Sequence, residues 1–239
     1  MDVEAIERST VAGVAPAKVV EVDGWLAPLD SGAIGRAKTA VPLSHAAGPG
    51  AISEIEAAYW TEGLSPAFRI ADVPGLKAVR DALTTRGYVA AKPTIVTIGD
   101  VERLARLRDQ PGEIVARPDA AWGEVFVGEG FDVEDGASRV AALSRAPDAL
   151  YGQVRQDGRT VAVGVVTFAH GWAGIHGMRT DARRRGQGLA SQVLAALGRA
   201  ILERGVENVY LQVEEPNPAR SLYRKAGFTD AWRYHYWTR

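Results

Sequence analysis

From residue 113 onward the apolar positions switch repeatedly between alternating and helical spacing. "GEIVARPDAAW" predicts a strand entering a turn, and "EVFVGEGFDVEDGASRVAALSRAP" predicts two short helices with glycine breaks. "ALYGQVRQDGRTVAVGVVTFAHG" has β-branched residues on both sides of Asp157-Gly158, a hairpin signal. "WAGIHGM" predicts the next strand. Leu189, Val193, Leu194, Leu197, Ile201 and Leu202 recur at helical spacing, and Gly205 stands where a helix C-cap belongs. "VENVYLQVEE" predicts a strand. "NPARSLYRKAGF" predicts a helix capped by Asn217, with Pro218 at its first position and Gly227 closing it. "DAWRYHYW" predicts a final aromatic strand. The order β, α, α, hairpin, β, α, β, α, β defines a mixed α/β domain.

The first half repeats part of this order. "SGAIGRAKTAVPL" predicts a strand, "AISEIEAAYWTEG" a helix, "PAFRIAD" a strand, "PGLKAVRDALTTRG" a helix and "YVAAKPTIVTIGD" a strand. Gly87-Tyr88 follows its helix as Gly227-Phe228 does, a shift of 140 residues that also maps Gly48 and Gly50 onto Gly188 and Ala190. The polar helical stretch "VERLARLRDQPGE" links the halves. The expected organisation is therefore residues 1–112 and residues 113–239.

Composition narrows the chemistry. Hydrophobic residues make up 46% of the 239 positions and charged residues 24%, as in ordinary globular domains. A net charge of −1 gives no global field for nucleic acid or an anionic membrane. The chain has no cysteine, which removes thiolate nucleophiles, disulfides and cysteine-bound zinc. Histidines 45, 170, 176 and 235 show no ligand spacing, so no metal is expected. "MDVEAIERST" lacks the apolar core of a signal peptide, and no apolar run approaches a membrane span of about 18 residues. A cytoplasmic protein is expected.

The densest chemical signal is "TDARRRGQGLASQVL", residues 180–194. Glycines ahead of a helix let a ligand approach the unpaired N–H groups and the positive end of the helix dipole. That arrangement suits a diphosphate. A P-loop needs a lysine after the last glycine, and none follows Gly188. A dinucleotide fingerprint needs a third glycine, where this chain has Ser191. The remaining candidate is coenzyme A.

Two blocks carry a family resemblance. Arg185, Gly188 and Ala190 fit R-x-x-G-x-A, and Arg183, Gly186 and Gly188 fit the overlapping R-x-x-G-x-G register. Downstream, Asn217, Ala219, Leu222, Tyr223, Lys225, Gly227 and Phe228 resemble N-x-x-A-x-x-L-Y-x-K-x-G-F, with Asn217 one residue too close to Ala219. Residues 113–239 thus resemble the GNAT superfamily of N-acetyltransferases, and the first half looks like a worn copy, as in tandem forms. The resemblance implies a GNAT fold with a central mixed, mostly antiparallel sheet flanked by helices. It also implies acetyl-CoA as cosubstrate and direct attack by a primary amine in a ternary complex. In the first half His45 stands at the shifted place of Arg185, Pro49 removes an N–H and the Leu-Tyr pair is missing. No coenzyme is expected there. The first half is instead expected to wall the acceptor cleft, making a monomer with a built-in pseudo-dimer partner.

By the resemblance, Met178, Arg179, Thr180, Arg183, Arg185, Gly186, Gln187, Gly188, Leu189, Ala190, Asn217 and Tyr223 are expected at the coenzyme. Tyr223 is the expected general acid, because a phenol stays protonated at neutral pH and can supply a leaving thiolate with a proton. His176, Glu214 and a water chain are alternatives for the base, with Glu215 beside Glu214. Trp122, Trp172, His176, Gln212 and Glu214 are the expected acceptor-binding residues. Metabolite, antibiotic and protein lysine acceptors all remain open. A rival reading from a different class is an acyl-CoA-binding regulatory or sensory module without turnover.

Overall fold

The computed structural model describes residues 2–239. In chain order the first half comprises α1 (Val3–Gly13), β1 (Lys18–Val22), β2 (Trp25–Leu29), β3 (Val41–Pro42), α2 (Ile52–Thr61), β4 (Phe68–Ala71), α3 (Lys77–Thr85), β5 (Val89–Asp100) and α4 (Val101–Ala105). The second half comprises β6 (Glu113–Val115), α5 (Ala120–Val127), α6 (Val133–Ser144), β7 (Ala149–Gln156), β8 (Arg159–Ala169), β9 (Trp172–Thr180), α7 (Leu189–Glu203), β10 (Asn208–Glu214), α8 (Arg220–Lys225) and β11 (Thr229–Thr238). The expected strand across 31–43 is replaced by a single 3-10 turn, Gly35–Ala37, and the short β3. In that stretch Ile34, Ala37 and Ala40 are all buried, a spacing of three that suits turns rather than a pleated strand.

One eight-stranded sheet runs β4-β11-β5-β10-β9-β8-β7-β6, and a small antiparallel sheet holds β1-β2-β3. Within the large sheet only β9 and β10 run parallel. Strands from both sides of residue 112 therefore share a single hydrogen-bonded ladder. Three hairpins turn on paired left-handed residues, Asp23-Gly24, Asp157-Gly158 and His170-Gly171, with φ between +44° and +76°. These are the backbone values that a two-residue hairpin turn requires.

The shift of 140 residues recurs in the structure. β4 begins at Phe68 and β10 at Asn208, while β5 begins at Val89 and β11 at Thr229. The helix ends match bond for bond. Tyr88 N–H donates to Leu83 O and Phe228 N–H to Tyr223 O, both at 3.0 Å, around Gly87 (φ +83°) and Gly227 (φ +94°). Strands of the two halves pair across: β5 pairs with β10, and β11 pairs with β4. At the centre β5 and β11 pair with each other.

Alternation along β8 divides the layers. Ala162 and Val166 join Leu189, Val193 and Leu197 of α7, whereas Val163 and Val165 join Trp122 and Phe126 of α5. Helix α1 lies on the α5 face. Asp2 caps it by accepting the Ala5 N–H at 3.0 Å. Its polar residues bond the sheet beneath: Tyr210 Oη donates to Ser9 Oγ at 3.2 Å and Gln212 Nε2 donates to Thr10 Oγ1 at 2.9 Å. Glu7 and Arg69 of β4 form a fully buried ion pair at 2.5 Å.

Candidate active site

The site begins where two parallel strands part. β9 and β10 pair from Trp172–Asn208 to Ile175–Leu211, and no further. β10 continues to Glu214 against β5, while β9 continues to Thr180 against β8. The divergence follows from a bulge: two residues of β9, Gly177 and Met178, stand opposite one residue of β8, Gly164. Gly177 has φ +58°, which favours glycine. A Cβ on Gly164 would lie 2.4 Å from Met178 Sδ, so the partner position also needs glycine. Beyond Ile175 the edge of β9 that faces β10 has no strand partner.

The glycine loop follows the end of β9 and leads into the N-terminus of α7. Asp181 accepts the Arg183 N–H at 2.9 Å and the Arg184 N–H bonds the Asp181 carbonyl at 3.0 Å. After these, the N–H groups of Arg185, Gly186, Gln187, Gly188, Leu189 and Ala190 find no acceptor among the described residues. Gly186 and Gly188 have φ +78° and +79°, turning the backbone so that Gly188 caps the 15-residue helix. The site therefore combines a run of bare donors with a helix dipole.

The arginines are already engaged. Arg183 pairs with Glu129, Arg184 pairs with Asp157 at 3.2 Å, and Arg185 lies over the Phe131 ring at 5.7 Å. Arg179 stacks on Phe131 at 4.0 Å, and burial pulls its guanidinium below its ordinary value. A residue the sequence reading passed over, Arg108, reaches the loop from the linker after α4. Its Nη2 lies 2.4 Å from the position a Cβ on Gly188 would take.

Tyr223 is buried in the same apolar cluster as Ile175, Leu189 and Leu211, with its ring 6.3 Å from that of Phe228. Its hydroxyl has no hydrogen-bond partner among the described residues, and burial pushes the phenol up to about 12. Asn217 is committed locally, with Oδ1 accepting the Ala219 N–H at 2.9 Å. The helix itself starts at Arg220, three residues beyond the expected cap.

On the opposite face, a cleft of about 670 Å³ opens between the halves. Of the expected acceptor-binding residues, Gln212 and Glu214 line it. Trp122 does not reach it: the side chain is fully buried against Phe126 and Tyr151, and Nε1 donates to Gly152 O at 3.2 Å. Trp172 is packed against Tyr210 with its rings 6.1 Å apart. His176 is buried beneath α1, where Nε2 shares a hydrogen bond with Thr167 Oγ1 at 3.2 Å. Its Nδ1 has no partner among the described residues. Burial, followed by the Arg36 charge, holds the imidazole well below its usual value, so it is neutral at pH 7.

The remaining lining includes residues that sequence reading missed: Arg36 and Lys38 around the 3-10 turn, Lys92 of β5, Arg139 of α6, and Tyr234 and Tyr236 of β11. Alternation in "DAWRYHYW" was the available signal, since Tyr234 and Tyr236 share one face. Tyr234 Oη donates to Gln212 Oε1 at 2.9 Å and meets Tyr236 Oη at 3.3 Å.

A parted parallel pair beside an unpaired glycine loop agrees with the family comparison. A family model described as "Probable histone acetyltransferase Rv0428c C-terminal" matches residues 1–237. The chain belongs to the GNAT family of N-acetyltransferases. A mycothiol acetyltransferase of Clavibacter sepedonicus is 32% identical over 209 residues, covering 83% of this chain and 65% of the relative. The chain thus matches less than two thirds of that protein's length. A GCN5-related N-acetyltransferase from Kribbella flavida superposes with a TM-score of 0.71 at 18% identity, covering 99% and 95% of the two chains. A tandem GNAT protein from the clavulanic acid biosynthesis pathway superposes with a TM-score of 0.64 at 15% identity, covering 94% and 84%. These two structures share the GNAT fold, a mostly antiparallel sheet flanked by helices. Among the described residues no helix is long and apolar enough to cross a membrane.

Proposed function

We propose that this GNAT protein transfers an acetyl group from acetyl-CoA to a primary amine in a ternary complex. The observation that carries the proposal is the run of N–H groups from Arg185 to Ala190, unpaired among the described residues, at the N-terminus of α7. Those donors suit the coenzyme diphosphate. Arg108 and Arg185 provide cationic charge at the same loop. Acetyl-CoA supplies the thioester that the amine attacks, so no nucleophilic side chain is needed. The free edge of β9 near Met178–Thr180 offers backbone donors to the thioester carbonyl. Tyr223 holds a proton and gives it to the departing sulfur. Glu214, at the cleft, is the carboxylate that takes the proton lost by the amine. His176 faces α1 and serves to position β9.

The first half acts as the built-in partner that walls the cleft. This reading is supported by Leu83, which occupies the shifted place of Tyr223, and by His45, whose ring packs edge-on against Trp232 at 5.1 Å.

Calorimetric titration with acetyl-CoA, followed by amine-dependent release of free thiol, tests the proposal. Saturable binding with amine-dependent release supports it. Binding without release across a broad amine panel favours a sensor, and no binding removes both readings.

A further inference from the structure

We propose that the acceptor is a small amine that also carries an anionic group, a carboxylate or a phosphate, held at Arg36, Lys38 and Lys92. The inference rests on the transferase reading above and concerns the acceptor side of the same site. Its basis is the charge balance of the cleft. Six ionic side chains line it: Arg36, Lys38, Lys92, Arg139, Asp30 and Glu214. Two of them are neutralised by neighbours. Arg139 forms two hydrogen bonds to Asp135, at 2.6 and 3.0 Å. Asp30 accepts the N–H groups of Ala17 and Gly32 and lies 3.6 Å from Arg145. Arg36, Lys38, Lys92 and Glu214 form no ion pair among the described residues. Three free cations thus face one free carboxylate.

Arg36 and Lys38 are built in rather than trailing from a loose loop. Thr39 Oγ1 bonds Gly35 O at 3.0 Å, and the Ala33 N–H bonds Ser138 Oγ of α6 at 3.0 Å. Gly35 lies under the Tyr236 ring, where a Cβ would come within 3.0 Å of it. Arg36 and Lys38 are both half-buried. Burial, and after it the Arg36 charge, favours the neutral form of His176.

A cleft with surplus positive charge repels a diamine or a lysine-rich peptide and attracts a zwitterion. Guanidinium and ammonium groups bind carboxylate or phosphate oxygens by charge-assisted hydrogen bonds. The same field favours the neutral amine over its ammonium form, which direct attack requires. Glu214 then stands at the amine end. The size of the cleft suits a small molecule rather than a folded partner.

The test uses matched probes: O-phosphoethanolamine against ethanolamine, β-alanine against β-alaninamide, and a lysine-rich peptide. Calorimetric affinity, with and without acetyl-CoA, and amine-dependent thiol release are both read. We expect at least one anionic probe to bind about tenfold or more tightly than its partner. The phosphate and carboxylate pairs show which anion is preferred. Arg36→Gln and the exposed Lys92→Gln are expected to collapse that ratio toward unity. Equal affinities within both pairs, tighter binding of the peptide, or no saturable binding of any anionic probe at millimolar concentration overturns the inference. Failure of the transferase reading looks different: anion preference persists, while acetyl-CoA neither binds nor releases thiol.

Discussion

Gly13 of the N-terminal helix stands directly against His176 of the sheet. A methyl group on Gly13 would lie 2.7 Å from His176 Nε2 and 2.5 Å from Thr167 Oγ1. Helix α1 can descend onto β8 and β9 only because this position has no side chain. We therefore expect Gly13→Ala to destabilise the protein by about 1–3 kcal/mol, since overlap in a packed core outweighs the better helix propensity of alanine. A urea midpoint equal to or above that of the parent would contradict this contact.

Tyr223→Phe removes only a hydroxyl without a protein partner, so the fold should be retained. Turnover should fall by up to about 100-fold with acetyl-CoA affinity little changed, as expected for loss of one proton donor. Steady-state kinetics paired with calorimetry checks this, and unaltered turnover would remove the acid role.

Gly188→Asp places a side chain at φ +79°, on the Arg108 guanidinium, and adds a negative charge among the loop donors. Coenzyme binding should be lost while far-ultraviolet circular dichroism stays native. Normal affinity would mean that the diphosphate lies elsewhere.

His176 gives the stability a definite pH dependence. Its folded-state value is depressed by burial, whereas the unfolded chain titrates near about 6.5. The neutral-histidine contribution is therefore complete above about pH 6.5 and is lost as pH falls, at up to about 1.4 kcal/mol per pH unit. His45 and His235 are also lowered by burial and act in the same direction. Urea unfolding of the parent and His176→Gln between pH 7 and pH 5 (about the histidine range) isolates the share of His176. Identical slopes would show that His176 protonates freely in the native state.

The second half was legible because its signals are local. Apolar spacing marks α7, Asp157-Gly158 marks a hairpin, and glycines mark the start and finish of helices. The glycine loop from Arg185 to Ala190 could be read for the same reason: a run of unpaired donors ahead of a helix is a property of consecutive backbone groups. The cleft between the halves was not legible. Arg36, Lys92 and Glu214 meet only because the tertiary fold brings distant segments together, and nothing in their neighbouring residues encodes that meeting. The tryptophans illustrate the same limit. An aromatic residue has the same letter whether it walls a cleft or fills a core, and Trp122 and Trp172 fill cores. The hairpin at Asp23-Gly24 carries the same signal as Asp157-Gly158 and was available to the same reasoning.

The pairing of strands from the two halves has a consequence for biosynthesis. β5 leaves the ribosome long before β10 and β11, the strands that will flank it, and in the interval both its edges lie bare. The sheet cannot close until the last strand in chain order has slid between β4 and β5. Such distant pairing makes assembly slow and leaves the nascent chain exposed to edge-to-edge association until β11 has been made.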